Sequence, residues 1–279
     1  MSNYIKNYWE EKEKRKHPKF IKSIKIIQAK NFFDLIDKKD KNEHSIKKII
    51  DDLYQGSPFI IKNAICKKKI QILKQKLVLI SDTKKSSFFK MNKKCPNFWR
   101  RQDESIAKKY SVSAIRDSYY FFRWNKKNKD IWNIFNSVWG DIKLLGGLKK
   151  NSYIENTPKD GVVDRIQIVR YPDKTGYIEP HFHDPKNQRL IISVYMSKRG
   201  SDYNGGGTCF YKGKKIINVE DKIDIGDVGI FYATLKHAVH PVKSSSKKIN
   251  KKFRGRWWCG LYSPESDLVK NRHTSSPIN

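Results

Sequence analysis

The chain has 279 residues, enough to bury a substantial core in one large domain or two small ones. It has no apolar run of the roughly 20 residues that a membrane-spanning helix needs, so no membrane association is expected. The charged N-terminal stretch MSNYIKNYWEEKEKRKHPKF lacks the apolar core of a signal peptide, so we expect a cytoplasmic protein.

The formal net charge is +31, from 59 lysines and arginines against 28 acidic residues. A basic surface attracts phosphates, nucleic acids or other anions. The lysines are spread along the whole chain, and no helix-turn-helix, RNP-like or zinc-finger pattern accompanies them. The charge therefore leaves nucleic acid open as a partner without supporting it, and it fits an anionic small molecule equally well.

The N-terminal part has helical periodicity. In FIKSIKIIQAKNFFDLID and HSIKKIIDDLY the apolar residues recur at helical spacing, and GSPF ends the pattern. Further on, FIIKNAI predicts a short strand and KKIQILKQKLVLI a helix. The segment DIWNIFNSVWGDIKLLGG predicts an amphipathic helix that ends at its two glycines, and we interpret the aromatic run SYYFFRWN as core packing.

After about residue 160 the sequence becomes a series of short β-rich segments separated by Gly, Pro, Asp and Asn. These segments are GVVDRIQIVRY, RLIISVYMS, GTCFYKG, KKIINVE, DVGIFYATL and RGRWWCGLYS. Six or more such strands predict a sandwich or jelly roll. The basic stretch KSSSKKINKK predicts a hairpin loop within it.

We therefore expect an α+β fold in which a helical N-terminal layer packs on a C-terminal β-core. The whole chain, 1–279, is predicted to be one composite domain. Its predicted parts are a helical region (1–56), a mixed α/β layer (57–159), the β-core with a metal site (160–265) and a tail (266–279). We also expect the helical layer to cover the mouth of the β-core and to shape its pocket.

Two histidine pairs lie on the predicted β-core, His181 with His183 and His237 with His240. Because a jelly roll brings its strands together, the two pairs predict a metal site. No cysteine is near, and imidazole with a carboxylate suits Fe(II) that keeps open coordination positions. Arg256, in RGRWW, offers a guanidinium fork for a dicarboxylate. Together these residues imply oxidative chemistry driven by decarboxylation of a 2-oxoacid.

Four stretches, taken in order, resemble the Fe(II)- and 2-oxoglutarate-dependent dioxygenase superfamily. They are RIQIVRYPDKTGYIEPHFHDP, QRLIISVYMSKRGSDYNGGGTCFY, IDIGDVGIFYATLKHAVHPV and GRWWCGLYS. The resemblance covers about residues 160–265 and extends faintly upstream through GSPFIIKNAI and YYFFRWN. It implies a double-stranded β-helix (jelly-roll, cupin-like) core, with Fe(II) and 2-oxoglutarate as cofactors and molecular oxygen as a reactant.

Carried over by position, the resemblance makes His181 and His237 iron ligands. Arg256 matches the arginine that pairs with the distal carboxylate of 2-oxoglutarate, and Arg254 is the second choice for that role. His240 then has a structural role or lies behind the ligands. Tyr171 and Tyr177, which flank the turn before His181, are candidates to bond the cofactor carboxylate. Arg165, Gln167 and Arg189 are candidates to contact an anionic substrate.

The third iron ligand departs from the pattern of the family, which is His-x-Asp or His-x-Glu. Two residues after His181 stands His183, and Asp184 follows it. Three interpretations remain open. His183 is the third ligand; or a one-residue bulge brings Asp184 into place; or His183 and Asp184 are the ligands and His181 lies outside. Strand alternation favours His181 and His183 on one face.

The leading hypothesis is a hydroxylase that acts on a C–H bond of a small metabolite, which the basic charge of the chain allows to be an anion. One alternative is a cupin-like, three-histidine iron dioxygenase that works without 2-oxoglutarate and would not need Arg256. Another alternative is a binding protein without catalytic activity on the same fold. The oligomeric state cannot be read from the sequence.

Overall fold

The structure is a computed structural model that describes residues 4–244, 250, 252–272 and 275–278. Among these residues six segments are α-helical. They are α1 (Tyr4–Glu13), α2 (Ala29–Asp37), α3 (Glu43–Tyr54), α4 (Lys67–Thr83), α5 (Glu104–Ala107) and α6 (Lys129–Leu145). None of them is long and apolar enough to cross a membrane. The predicted hairpin loop at 243–252 lies for the most part outside the described residues.

The strands form two sheets that face each other. The larger sheet contains β1 (Lys25–Gln28), β2 (Phe59–Lys62), β3 (Phe98–Gln102), β4 (Ala114–Phe122), β5 (Arg165–Tyr171), β7 (Leu190–Tyr195), β10 (Val228–Tyr232) and β12 (Arg256–Tyr262). The smaller sheet contains β6 (Tyr177–Phe182), β8 (Gly205–Lys212), β9 (Lys215–Asn218), β11 (His237–Lys243) and β13 (Ser276–Pro277). All six predicted β-rich segments contain one of these strands.

The order of the core strands is that of a jelly roll. In the larger sheet the order is β1-β2-β10-β7-β12-β5-β4, with β3 also on β4, and in the smaller sheet it is β6-β11-β8-β9. Strand β4 joins the two sheets, because Ala114 and Ile115 pair with β6 while residues 117–122 pair with β5. The predicted α+β fold with a double-stranded β-helix core is therefore confirmed.

Strand alternation divides the larger sheet into an apolar outer face and a mixed inner face. On β5 the outer residues Ile166 and Ile168 are fully buried, whereas Arg165 and Gln167 point to the space between the sheets. The cavity between the sheets is thus lined by charged and polar groups as well as apolar ones.

The helical layer packs on the outer face of the larger sheet. Trp9 of α1 is fully buried; its indole Nε1 donates to the carbonyl of Leu145 at 2.7 Å, and its ring stacks on Tyr232 with centroids 5.5 Å apart. No residue before Phe88 lines the cavity of about 410 Å³ between the sheets, within the part of the chain that the structure describes. Ile24 and residues 58–60 line only a much smaller pocket, and none of them is helical. The expectation that the N-terminal helices cover the mouth of the core was therefore wrong.

The segment FIKSIKIIQAKNFFDLID is helical only in its second half. Its first half forms the edge strand β1, which pairs in parallel with β2. Ile26 and Ile27 are β-branched residues that suit a strand, and Ile26 is 55% exposed, as one side of an edge strand often is. Helical spacing alone could not reveal this pairing, because β2 lies more than 30 residues further along.

Candidate metal centre and its cavity

A cavity of about 410 Å³ lies between the two sheets. That volume is within the range of about 300–1,000 Å³ typical of small-molecule sites. From the larger sheet it is lined by residues of β3, β4, β5, β7, β10 and β12, and from the smaller sheet by residues of β6, β8 and β11. It is the space in which the predicted site residues would have to meet.

Three histidines converge on one wall of this cavity. One ring nitrogen each from His181, His183 and His237 can be chosen so that all three lie within 4.8 Å of one another. His181 and His237 stand opposite each other in the pairing of β6 with β11, and His183 follows the end of β6. Residues from two neighbouring strands and one loop therefore present their ring nitrogens to a single point.

The hydrogen bonds of the rings fix which nitrogens face that point. Nδ1 of His181 lies 2.8 Å from the carbonyl of Glu179, and Nδ1 of His237 lies 2.8 Å from the carbonyl of Leu235. A carbonyl can only accept, so Nδ1 carries the proton in both rings and Nε2 keeps its lone pair. In His183, Nδ1 lies 3.2 Å from Oγ of Ser275, and Nε2 is buried with no partner in the described structure.

Burial keeps these imidazoles neutral. It lowers the pKa of His237 to about 4, and it lowers the pKa values of His181 and His183 well below the usual value of a histidine. The neighbouring histidines and Arg116 act in the same direction on His181 and His183. Neutral imidazoles are the form that coordinates a metal, so the cluster is ready for a cation at neutral pH.

Asp184 lies beside the cluster but outside the group of converging nitrogens. It lines the cavity, and its Oδ1 accepts the backbone N–H of Lys186 at 2.7 Å. The pairing of β6 with β11 does shift register, but before His181, between Ile178 and His181. Asp184 lies two residues beyond the end of β6, and its carboxylate is not among the groups that converge with His181 and His237. His240 is half-buried on β11 and is not part of the cluster.

Arg256 is buried at the start of β12 and is bound to an acid. Its Nε donates to Oε1 of Glu220 at 2.9 Å, and its Nη2 donates to Oγ1 of Thr208 at 2.5 Å. Glu220 also accepts from the backbone N–H of Thr208 and from the hydroxyl of Tyr203. Nη1 of Arg256 is buried with no partner in the described structure. Thr208 lines the cavity, whereas Arg256 stands behind it.

The other predicted site residues divide into two groups. Tyr171, Arg165 and Gln167 line the cavity. Arg189 does not, because its guanidinium forms a paired contact with Glu13 at 2.9 Å and anchors α1 to the sheet. Tyr177 is also outside the cavity lining, and its hydroxyl lies 2.8 Å from Oγ of Ser113. Arg254 lies in the segment before β12.

Arg116 and Glu220 are among the charged residues that the sequence interpretation missed. Arg116 lies on β4 and lines the cavity, and Glu220 is the buried partner of Arg256. Strand alternation in SAIRDSYYFF could have indicated Arg116, because Arg116, Ser118 and Tyr120 must share one face. Nothing in the sequence indicated the burial of Glu220.

Comparison with solved structures identifies the class of fold. A full-length Neurospora crassa protein in complex with alpha-KG (2-oxoglutarate) and thymine superposes with a TM-score of 0.52 at 10% identity, and the match covers 87% of this chain and 86% of that chain. The C-terminally truncated form of the same Neurospora crassa protein, in apo form, gives 0.52 at 9% identity, with 85% and 93% covered. A prolyl-4-hydroxylase from Pseudomonas putida gives 0.48 at 11% identity, with 78% and 97% covered.

The two Neurospora crassa superpositions show that this chain has the same fold as that alpha-KG-binding protein, the double-stranded β-helix of the resemblance seen in the sequence. No protein-family model matches the sequence. No curated protein matches it either.

Proposed function

We propose that the protein is a non-haem iron oxygenase that uses 2-oxoglutarate and molecular oxygen to hydroxylate a C–H bond of a small molecule. The observation that carries this proposal is the convergence of three neutral imidazoles on the wall of a cavity within a double-stranded β-helix. The cytoplasmic location expected from the sequence is part of the proposal.

The histidine cluster fits Fe(II). Three imidazole nitrogens suit a borderline metal such as iron, and a three-ligand set leaves coordination positions for a cosubstrate and oxygen. The buried, unpartnered Nε2 of His183 is a polar atom that a metal would satisfy. We therefore assign His181, His183 and His237 as the ligands, and we place Asp184 beside the site rather than in it.

The part of the cavity lined by Thr208 and Tyr171 fits a carboxylate. Arg256 has one buried donor, Nη1, without a partner in the described structure, and Thr208 and Tyr171 line the cavity in front of it. Nε and Nη2 are already bound, so Arg256 offers a single donor rather than a bidentate fork. We propose that Arg256 and Tyr171 hold the distal carboxylate of 2-oxoglutarate, and that Glu220 fixes the orientation of the guanidinium.

When both are bound, decarboxylation of 2-oxoglutarate at Fe(II) would supply one pair of the electrons that reduce oxygen, and the substrate C–H bond would supply the other pair. The residues of this chain would position these reactants. The carbonyls of Glu179 and Leu235 fix the tautomers and ring planes of His181 and His237. The apolar side chains of Ile191, Phe231 and Val239 line the same cavity and exclude water from it.

The Arg256–Glu220 pair favours a second candidate function. An arginine neutralised by a buried acid is a weaker anchor for an anion than a free one. A cupin-like iron dioxygenase that oxidises its substrate without 2-oxoglutarate would need only the three histidines. The two functions differ in one requirement, the dependence of oxygen use on 2-oxoglutarate.

Oxygen consumption by the iron-loaded protein distinguishes these functions. We expect oxygen uptake to require 2-oxoglutarate and to be matched by the succinate formed, with His237→Ala inactive. Oxygen uptake that proceeds on a panel of small molecules without 2-oxoglutarate would support the cupin-like alternative. A protein that binds no iron would exclude both.

A further inference from the structure

Most of the largely buried cationic side chains of this protein have a carboxylate partner. Lys143 binds Asp164 at 2.7 Å, and Arg256 binds Glu220 at 2.9 Å. Arg170 binds Asp117 at 2.5 Å. Such pairing offsets the cost of removing a charge from water. An arginine that faces a cavity without an acid is therefore an exception that calls for a ligand.

Arg116 and Arg165 are two such exceptions. Among the described residues no carboxylate oxygen lies within 4 Å of either guanidinium. Nε of Arg116 donates to the amide oxygen of Gln102 at 2.8 Å, and Nη2 of Arg165 donates to the amide oxygen of Gln167 at 3.0 Å. These amides are neutral, so they orient the guanidinium groups without cancelling their charge.

Both arginines face the cavity from adjacent strands, Arg116 on β4 and Arg165 on β5. Nε of Arg165 is buried without a partner in the described structure, and its guanidinium packs over Tyr120 and Tyr262 at 5.4 and 5.8 Å from the ring centroids. His181 and His183 line the same cavity. An anion held by the two arginines would therefore share the cavity with the histidine cluster.

The charged residues that line the cavity also favour an anionic ligand. Five positive side chains and two negative ones line it: Arg100, Arg116, Arg165, Lys186 and Arg272 against Asp184 and Glu265. Two of these cations are already paired with acids, Lys186 with Glu265 at 3.1 Å and Arg272 with Asp267 at 2.7 Å. The three others, Arg100, Arg116 and Arg165, have no carboxylate oxygen within 4 Å among the described residues. A triad of neutral histidines would leave both charges of Fe(II) uncompensated. The molecules that enter the cavity must therefore supply the negative charge.

We propose that Arg116 and Arg165 form a binding site for a carboxylate or phosphate group of the substrate, separate from Arg256. The substrate is then a small organic acid or phosphate ester. That this anion belongs to a substrate rests on the proposed function, but the anion site itself stands on the two arginines. Guanidinium groups match both kinds of anion through paired hydrogen bonds.

The test measures binding of inorganic phosphate, benzoate and the neutral isostere benzamide to the full chain by calorimetry. It is run on the metal-free protein and on protein loaded with Mn(II) and 2-oxoglutarate. We expect at least one anion to bind more tightly than benzamide in both forms. Arg116→Gln and Arg165→Gln should each weaken that binding by about tenfold or more, as loss of a charge-assisted hydrogen bond does. The tighter binder of phosphate and benzoate identifies the kind of anion that the site takes.

Arg101→Gln is the matched control. It removes the same charge from the opposite face of the same sheet, and its partner Asp117 keeps Arg170. We expect Arg101→Gln to leave anion binding unchanged, and Arg116→Lys to retain most of the phosphate binding. If neither anion binds more tightly than benzamide, or if both glutamine variants bind like the control, the proposal is wrong.

The affinity for 2-oxoglutarate distinguishes the site formed by Arg116 and Arg165 from the site at Arg256. Arg116→Gln and Arg165→Gln should keep it near the wild-type value. If they lose 2-oxoglutarate instead of the probe anions, the pair anchors the cosubstrate and the proposal fails, although the proposed oxygenase stands. If the protein binds neither iron nor 2-oxoglutarate but still binds the anions through this pair, the proposed function fails and the anion site stands.

Discussion

At the scale of residues, the unusual feature of this site is a histidine at position 183 where the family pattern has an acid. The side chain of His183 lies on the same face as that of His181, as strand alternation predicts, and its ring nitrogen converges with those of His181 and His237. The adjacent Asp184 bonds instead to the backbone of Lys186. Three neutral ligands leave a bound Fe(II) more positive than two histidines and a carboxylate would, which strengthens its attraction for anionic ligands.

The third ligand is tested by comparing His183→Ala with Asp184→Ala. We expect His183→Ala to weaken Fe(II) binding by about tenfold or more, because it removes a ligand, and Asp184→Ala to change it little. Competition with a chelator under anaerobic conditions measures both affinities. The reverse order, with Asp184→Ala the weaker binder, would assign the aspartate as the ligand.

The role of Arg256 is tested by substituting Arg256 both alone and together with Glu220. Arg256→Gln alone leaves the buried carboxylate of Glu220 without its cationic partner, so we expect a loss of roughly 3–5 kcal/mol in the free energy of unfolding. Arg256→Gln combined with Glu220→Gln removes both charges and should recover much of that loss. Urea denaturation measures the stability of both variants.

The affinity of these variants for 2-oxoglutarate then reports the role of Arg256 without interference from unfolding. We expect both variants to bind 2-oxoglutarate about tenfold or more weakly, since a hydrogen bond to a charged group is lost. A stable double variant with wild-type affinity would show that another residue anchors the cosubstrate.

At the scale of elements, the start of β8 brings the two sheets together around Glu220. Gly207 has φ +92°, and a Cβ atom at this position would lie 2.4 Å from the side chain of Glu220. Only glycine combines this backbone conformation with so close a neighbour. The GGG run at 205–207 therefore makes room for the acid that binds Arg256.

A matched pair of glycines tests this point. Gly207→Ala should lower the melting temperature strongly, because it adds a steric clash with Glu220 to the cost of a left-handed backbone. Gly213 at the β8–β9 turn has φ +60°, and a Cβ atom there would meet no other atom within 4 Å, so Gly213→Ala should cost only about 1–2 kcal/mol. Equal melting temperatures for the two variants would show that the contact with Glu220 is unimportant.

The elements differ in how well the sequence predicts them. The strands of the core were predicted because β-branched runs are separated by turn residues, and the long helices because their apolar faces are regular. Strand β1 was missed because its evidence is a tertiary pairing with β2. His181, His183 and His237 were predicted from local motifs. The pairing of Arg256 with Glu220 was not, because Glu220 is far from Arg256 in sequence and its burial depends on the whole fold.

At the scale of the whole molecule, the histidine cluster lies on the smaller sheet, whereas the helices pack on the larger one. His181 and His237 lie on neighbouring strands, and His183 precedes a loop that returns to β7. The helices pack on the outer face of the larger sheet, and among the described residues no helical residue lines the cavity. Metal binding should therefore stabilise the β-core.

Metal addition should raise the melting temperature. A ligand present at 100 times its Kd stabilises the native state by about 2.7 kcal/mol, which for a domain of this size corresponds to roughly 5–10 °C. Differential scanning fluorimetry with and without Mn(II) measures the shift. His237→Ala is the control and should show almost none; an equal shift in that variant would place the metal elsewhere.

The existence of an iron–2-oxoglutarate centre is tested most directly by absorption spectroscopy under anaerobic conditions. When Fe(II) and 2-oxoglutarate are added to the protein, we expect the weak visible charge-transfer band of the chelate, and we expect His237→Ala to lack it. If no band forms in the wild-type protein, and His237→Ala binds iron as tightly as the wild type, the three histidines do not form this centre and the proposed oxygenase function is wrong.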